Sequence, residues 1–281
     1  MNKHSETRLE DAVIDHLITE GGYIQGNSKD FDPSIALEPS RVIHFIKETQ
    51  PQVWKALEAI HSGNTEKVII DSLCKELEIK GVLKVLRYGF KCYGRKVMIA
   101  VFAPNNKMNP DTLALYNKNI LSVTRQLYYS PKNSNSVDIA IFLNGIPLIT
   151  AELKNAMTGQ SVEDAKIQYK KDRDPDEPIF EFKKRTLVHF AVDQDLVFMT
   201  TRLEKDKTSF LPFNLGHNGG AGNPPRDDNY RTAYLWEEVW QKDSFLDILA
   251  QFIHLQIEEK KVGDKKVKRE SMIFPRYHQL D

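Results

Sequence analysis

The stretch from Val137 to Ala156, VDIAIFLNGIPLITAELKNA, constrains the fold more than any other part of the sequence. It contains two apolar, β-branched runs on either side of Asn-Gly, a dipeptide that strongly indicates a tight turn between antiparallel strands. The sequence therefore predicts a β-hairpin that is mostly buried. Because charges are costly to bury, the charged residues of this hairpin, Asp138, Glu152 and Lys154, require an explanation.

The register of the hairpin decides whether Asp138 lies near Glu152, because residues directly opposite each other in an antiparallel pair share a face of the sheet. A two-residue Asn-Gly turn would place Asp138 opposite Ala151, leaving Glu152 on the other face. A three-residue loop, residues 143–145, with a bulge would place Asp138 opposite Thr150 and on the face of Glu152. A functional interpretation of these charges therefore predicts the bulged three-residue loop.

In that register two carboxylates and one ammonium group would meet at the end of a strand pair. Mg²⁺ takes oxygen ligands, usually one or two protein carboxylates completed by water and substrate phosphate, so Asp138 and Glu152 are candidate metal ligands. Lys154 shares the face of Glu152 and is a candidate to position a water molecule or to stabilise charge during phosphodiester hydrolysis. The alternative is that the charges form only a solvated strand end.

Composition narrows the class of protein. The 281 residues are 41% hydrophobic and 28% charged, as in globular proteins with one large or two smaller domains. A formal net charge of zero excludes a generally cationic protein that coats nucleic acid, but not a local basic groove. Without a long apolar run, a secretion signal or more than two cysteines, we expect a cytoplasmic protein with no membrane partner.

Hydrophobic periodicity divides the chain into regions. Residues 1–80 are predicted to be mainly helical, with helices over residues 5–20, 39–50, 51–61 and 65–77. From Gly81 the runs VLKVLRYGF and KVMIAVFAP predict a strand pair, and later runs predict strands over residues 185–193 and 196–203. Capping patterns beginning at Ser161 and Ser244 each predict a helix. This predicts an α/β core over residues 81–260 and a charged linker over residues 261–281.

The charged hairpin residues, with their surroundings, resemble a known family. Asp138, Glu152, Leu153 and Lys154 match the PD-(D/E)xK motif of nucleases, and longer phrases around them match in order: VTRQLYYSPKNSNSVD, PLITAELKNAMTGQSVEDA, LVHFAVD, MTTRL, GGAGNP and YRTAYLWEEVW. Together they resemble the N-terminal endonuclease domain of the restriction (R) subunit of type I restriction-modification enzymes. The resemblance implies an α/β fold with a central mixed β-sheet flanked by helices.

The resemblance also implies roles for individual residues. Asp138 and Glu152 would bind Mg²⁺, or Mn²⁺ as a substitute, together with the backbone carbonyl of Leu153, and Lys154 would be the catalytic lysine. Glu10 resembles an additional acid that related nucleases place near the metal. The alternative for Glu10 is an exposed charge on a helix.

A helix following the hairpin resembles the family's DNA-contacting QxxxY-like motif. Gln168 matches the glutamine, but Asp172 stands where the tyrosine is expected, so Tyr169 or Arg173 would substitute for it. Lys170 and Arg173 would contact backbone phosphates, which binds DNA without reading its sequence. The alternative for Tyr169 is an aromatic residue of the core.

The family implies partners and a cofactor that serves other domains. Double-stranded DNA would be the substrate, and the modification and specificity subunits would choose the target. The R subunit continues into an ATP-driven motor, and because this chain has no Walker A sequence we expect ATP to serve only that motor. The alternative function is a non-catalytic module that docks the motor to DNA or to partner subunits.

Overall fold

A computed structural model of the chain describes residues 6–103, 109–155, 159–227, 229–262 and 265–280. The strands are β1 Tyr23–Gln25, β2 Phe90–Cys92, β3 Arg95–Val97, β4 Leu121–Tyr128, β5 Ser136–Leu143, β6 Ile146–Leu153, β7 Val188–Val192, β8 Val197–Thr200, β9 Leu211–Pro212, β10 His254–Val262 and β11 Lys265–Ile273. The α-helices are α1 Glu6–Thr19, α2 Pro39–Thr49, α3 Pro51–Ile60, α4 Thr65–Lys80, α5 Val82–Tyr88, α6 Pro110–Asn117, α7 Val162–Lys171 and α8 Lys242–Asp247.

Seven strands form one mixed sheet in the order β1-β4-β5-β6-β7-β8-β9. The pairs β1–β4 and β6–β7 are parallel, and the other neighbours in this sheet are antiparallel. The central strands β5 and β6 are almost entirely buried, which explains why their sequence is a continuous apolar run. The predicted α/β fold with a central mixed sheet and flanking helices is confirmed.

The predicted N-terminal helices are present, and two of them start with proline. Pro39 and Pro51 stand at the first positions of α2 and α3, where a missing backbone N–H costs nothing. Ser161 caps α7 in a capping box with Asp164. The region 1–80 nevertheless contributes β1 to the sheet beside β4. None of the described helices is both long and apolar enough to span a membrane.

Three predicted elements are wrong. The run that starts at Val82 forms helix α5 and not a strand, and its apolar residues are buried at helical spacing. The helix predicted from Ser244 ends early, since a π-type turn, Ile248–Phe252, leads directly into β10. The expected linker over residues 261–281 belongs largely to the β10–β11 hairpin, and Phe274 beyond it is buried in the core.

The tight turn between β5 and β6 allows a test of the fold. Gly145 has a φ of 87°, and a Cβ there would lie 2.6 Å from the carbonyl oxygen of Glu38. We expect Gly145→Ala to lower the free energy of unfolding by about 2 kcal/mol, through backbone strain and a clash with α2. Gly63→Ala is the matched control, because Gly63 has a φ of 78° with no atom within 4 Å of a Cβ, and should cost only about 1 kcal/mol. Equal losses in urea denaturation would show that the contact with α2 is not tight.

Candidate active site

The hairpin register differs from both registers considered for the sequence. Asn144 and Gly145 have φ values of 50° and 87°, as a two-residue type I′ turn requires. A bulge follows, because Phe142 pairs with Pro147 but Ile141 pairs with Ile149.

Both predicted registers, including the three-residue loop of residues 143–145, are therefore wrong. The extra residue, Leu148, lies next to Pro147, which has no N–H to donate to the ladder. Beyond the bulge Ile139 pairs with Ala151. Asp138, which precedes Ile139, is therefore opposite Glu152, which follows Ala151. The two carboxylates nevertheless lie on one face of the sheet, as the functional interpretation requires, although the turn differs from the predicted one.

Asp138 is held by both neighbouring strands. Its Oδ2 accepts a hydrogen bond of 2.8 Å from the backbone N–H of Leu153 on β6. Its Oδ1 accepts one of 3.1 Å from the side-chain amide of Gln126 on β4. The carboxylate is thus fixed in orientation before any ligand binds.

Glu152 is a fully buried carboxylate with one oxygen paired and one left over. Its Oε1 accepts a 2.7 Å hydrogen bond from Nε of Arg173, which is itself only 5% exposed. Its Oε2 is buried and has no hydrogen-bond partner among the described residues. Burial, followed by the charge of Asp138, raises the pKa of Glu152 to about 8, while Arg173 and then Lys154 act in the opposite direction.

Lys154 follows directly after β6 and is partly exposed. Its backbone N–H donates a 2.8 Å hydrogen bond to the carbonyl of Val192 on β7, which extends the parallel pairing by one residue. The Lys154 ammonium group is close enough to lower the pKa of Glu152. A buried acid and a partly exposed lysine therefore end the same strand. That the Leu153 carbonyl binds a metal stays a prediction.

Glu10 joins this group from α1. It is 8% exposed, so the alternative of an exposed helix charge is wrong. Its Oε1 accepts a 2.8 Å hydrogen bond from the Gln126 amide, the same amide that donates to Asp138. Its Oε2 lies 3.2 Å from Nε of Arg125. Nothing in the sequence singled out Gln126, because β4 was not predicted as a strand.

Tyr169 belongs to the core, so its predicted contact with DNA is inconsistent with the structure. The side chain is fully buried, and its hydroxyl lies 2.9 Å from Oγ1 of Thr150 on β6. The same Thr150 oxygen lies 2.7 Å from Nδ1 of His189 on β7. His189 is 1% exposed and also belongs to the core. Burial lowers the pKa of His189 to about 3.

The other residues of α7 and its end differ in their surroundings. Gln168 and Lys170 are partly exposed, and their predicted DNA contact stays a prediction. Arg173 is not available as a phosphate ligand in this conformation. It pairs with Glu152, its Nη2 donates a 2.8 Å hydrogen bond to the carbonyl of Ser136, and its guanidinium lies 5.5 Å from the ring centre of Tyr129.

The site suits a hard cation held by few protein ligands. In the part of the chain that the structure describes, no three His, Cys, Asp or Glu side chains are grouped closely enough to hold a metal ion by themselves. Mg²⁺ does not require such a group, since it commonly binds through one or two carboxylates and keeps several waters. The unpartnered Oε2 of Glu152 is the kind of buried oxygen that a cation would satisfy, so the residues fit the metal.

The central mixed sheet flanked by helices is consistent with a nuclease-like core. The family model described as Type I restriction enzyme R protein N terminus (HSDR_N) matches residues 3–208. The chain therefore belongs to this family, and the resemblance found in its sequence is confirmed. Membership implies, in general terms, DNA and the other parts of a restriction complex as partners. A comparison with curated proteins gave no match.

Proposed function

We propose that the chain is the metal-dependent endonuclease domain of a type I restriction enzyme R subunit and hydrolyses phosphodiester bonds of double-stranded DNA. Family membership supports the restriction context. The observation that carries the catalytic part is the position of Asp138 and Glu152, directly after the Ile139–Ala151 pair on adjacent strands, with Lys154 at the end of the same strand. This is the arrangement expected of a PD-(D/E)xK site.

In this proposal Asp138, Glu152 and the Leu153 carbonyl hold Mg²⁺, for which Mn²⁺ substitutes. Bound Mg²⁺ would lower the pKa of a coordinated water and neutralise charge on the phosphate. The Leu153 N–H holds Asp138 in position, and Arg173 holds one oxygen of Glu152, which leaves the other oxygen for the cation. The Lys154 ammonium donates a hydrogen bond to the attacking water or to the phosphate oxygen that gains negative charge.

The proposal assigns the remaining tasks of restriction to partners. Contacts with DNA phosphates by Gln168 and Lys170 would bind the duplex without reading its sequence. Choice of the target would belong to the specificity and modification subunits. ATP would serve the motor domains of the R subunit and not this site.

Binding of Mn²⁺ by the folded chain tests the proposal directly. We expect calorimetry to show binding by the unaltered chain and a loss of at least about tenfold in affinity in both Asp138→Ala and Glu152→Ala, because each removes a ligand. Glu58→Ala is the matched control, since Glu58 is exposed and distant in sequence from Glu10, Asp138 and Glu152. Circular dichroism establishes that each variant is folded. Unchanged affinity in the two site variants would contradict the proposal and favour the docking module.

A further inference from the structure

Gln126 has an unusual backbone conformation for a residue within a strand. It lies in β4, between Arg125, which pairs with Ile139, and Leu127, which pairs with Val137, so it is opposite Asp138. Its φ is 47°, in the left-handed region that side chains other than glycine adopt at a cost of about 1–2 kcal/mol. Such strain persists only where the surroundings require it, and it is concentrated at functional sites.

The side chain of Gln126 connects three parts of the chain. Its Nε2 donates to Oε1 of Glu10 at 2.8 Å and to Oδ1 of Asp138 at 3.1 Å. Its Oε1 accepts a 3.0 Å hydrogen bond from the Ser136 hydroxyl. The opposite orientation of the Gln126 amide would place its oxygen against two carboxylate oxygens, neither of which can donate a hydrogen bond. The contacts therefore establish which end of the amide is the nitrogen.

A neutral amide suits this position better than a cationic side chain would. Its two N–H bonds satisfy one oxygen of each acid and hold two mutually repelling carboxylates close together. It adds no net charge, so it does not repel a bound cation. The neighbouring Arg125 is directed instead to the other oxygen of Glu10 and to Asp11.

Gln126 also lies at the edge of an open space. Together with Arg125, Lys29 and Tyr128 it lines a cavity of about 830 Å³. Gln126 and Asp138 are both partly exposed, so water can reach the two side chains.

We propose that Gln126 is a positioning residue that joins Glu10 to Asp138 and so holds the Asp138 carboxylate in the orientation that binds the cation. This rests on the proposed function, because it assumes that Asp138 holds a divalent metal. The positioning role explains why β4 has a strained backbone at Gln126 and why an acid from α1 is buried beside the hairpin. Residues that hydrogen-bond to a metal ligand and orient it commonly contribute 10-fold to 100-fold to metal affinity.

A double-mutant cycle on Mn²⁺ affinity tests the role of Gln126. Calorimetry is carried out on the unaltered chain, Gln126→Leu, Glu10→Gln and the double variant. We expect each single variant to bind Mn²⁺ about tenfold more weakly. The double variant should lose less binding free energy than the two single losses added together, because Gln126 joins Glu10 to Asp138. Gln25→Leu is the matched control, since Gln25 is exposed and lines the same cavity, and should leave the affinity unchanged.

The outcomes separate this inference from the proposed function. The positioning role is overturned if Gln126→Leu lowers the melting temperature but not the Mn²⁺ affinity. It is also overturned if the losses of Mn²⁺ affinity in Gln126→Leu and Glu10→Gln are additive. In either case, loss of binding in Asp138→Ala still supports the metal site. If the unaltered chain binds no Mn²⁺, both the metal site and the role of Gln126 are overturned. A loss of Mn²⁺ affinity in Gln126→Leu that becomes smaller in the Glu10→Gln background supports the inference.

Discussion

Replacing Glu152 with glutamine is expected to raise the free energy of unfolding by about 3 kcal/mol at pH 7 in the absence of metal. The cause is the buried position of this carboxyl, which together with Asp138 raises its pKa to about 8 from 4.5. The unfolded chain ionises Glu152 above pH 4.5, whereas the folded chain resists ionisation up to about pH 8. The unaltered protein therefore loses stability as the pH rises between these two values.

Glutamine removes this loss because it does not ionise, while its side-chain oxygen can still accept the hydrogen bond from Arg173. Urea denaturation at several pH values measures the effect. We expect the two proteins to be similar near pH 4.5 and to diverge as the pH rises to 8. Glu58→Gln, which changes an exposed glutamate, is the control and should leave the pH dependence unchanged. A variant that is less stable than the unaltered protein at pH 8 would contradict the burial argument.

Replacing His189 with leucine is expected to protect the protein against acid. Burial lowers the pKa of His189 to about 3 from 6.5, so the folded chain keeps the imidazole neutral while the unfolded chain binds a proton below pH 6.5. The stability associated with a neutral His189 is complete above pH 6.5 and is lost as the pH falls towards 3. By pH 4 the loss amounts to about 3 kcal/mol.

His189→Leu should therefore show a smaller loss of stability between pH 7 and pH 4. At pH 7 we expect the variant to be about 1 kcal/mol less stable, because Thr150 loses one of its two hydrogen-bond partners and keeps only Tyr169. Denaturation curves of His44→Leu provide the control, since His44 is exposed. A parallel acid dependence in the unaltered protein and His189→Leu would show that the imidazole is not kept neutral by burial.

The two titrating groups act in opposite directions on neighbouring strands. Glu152 weakens the fold as the pH rises, and His189 weakens it as the pH falls, so together they favour a stability maximum between the two transitions. When a divalent cation binds, only the contribution of Glu152 to the pH dependence of stability should change, because His189 is enclosed with Thr150 and Tyr169 in the core. A buried acid that lowers stability without metal is the usual cost of a site prepared for a ligand.

The sequence by itself predicted the β5–β6 hairpin and the helices α1 to α4 and α7. It also indicated that the three charged residues of the hairpin, Asp138, Glu152 and Lys154, form the candidate site. These features depend on local patterns: an Asn-Gly turn, apolar residues at helical spacing, and a capping box at Ser161. The family was also recognisable from the sequence, because long phrases in order carry more information than a short motif.

The tertiary structure decided which residues meet, because that depends on contacts between segments distant in the chain. The bulge beside Pro147 set the register of Asp138 against Glu152, and a turn dipeptide does not specify a bulge further along the strand. Arg173 proved to be a buried partner of Glu152, although its charge alone suggested DNA. The pairing of β4 with β5 brought Gln126 between Glu10 and Asp138, residues separated by more than a hundred positions. The sequence therefore indicated which side chains have the chemistry of a metal site, whereas sheet register and burial determined which of them lie together.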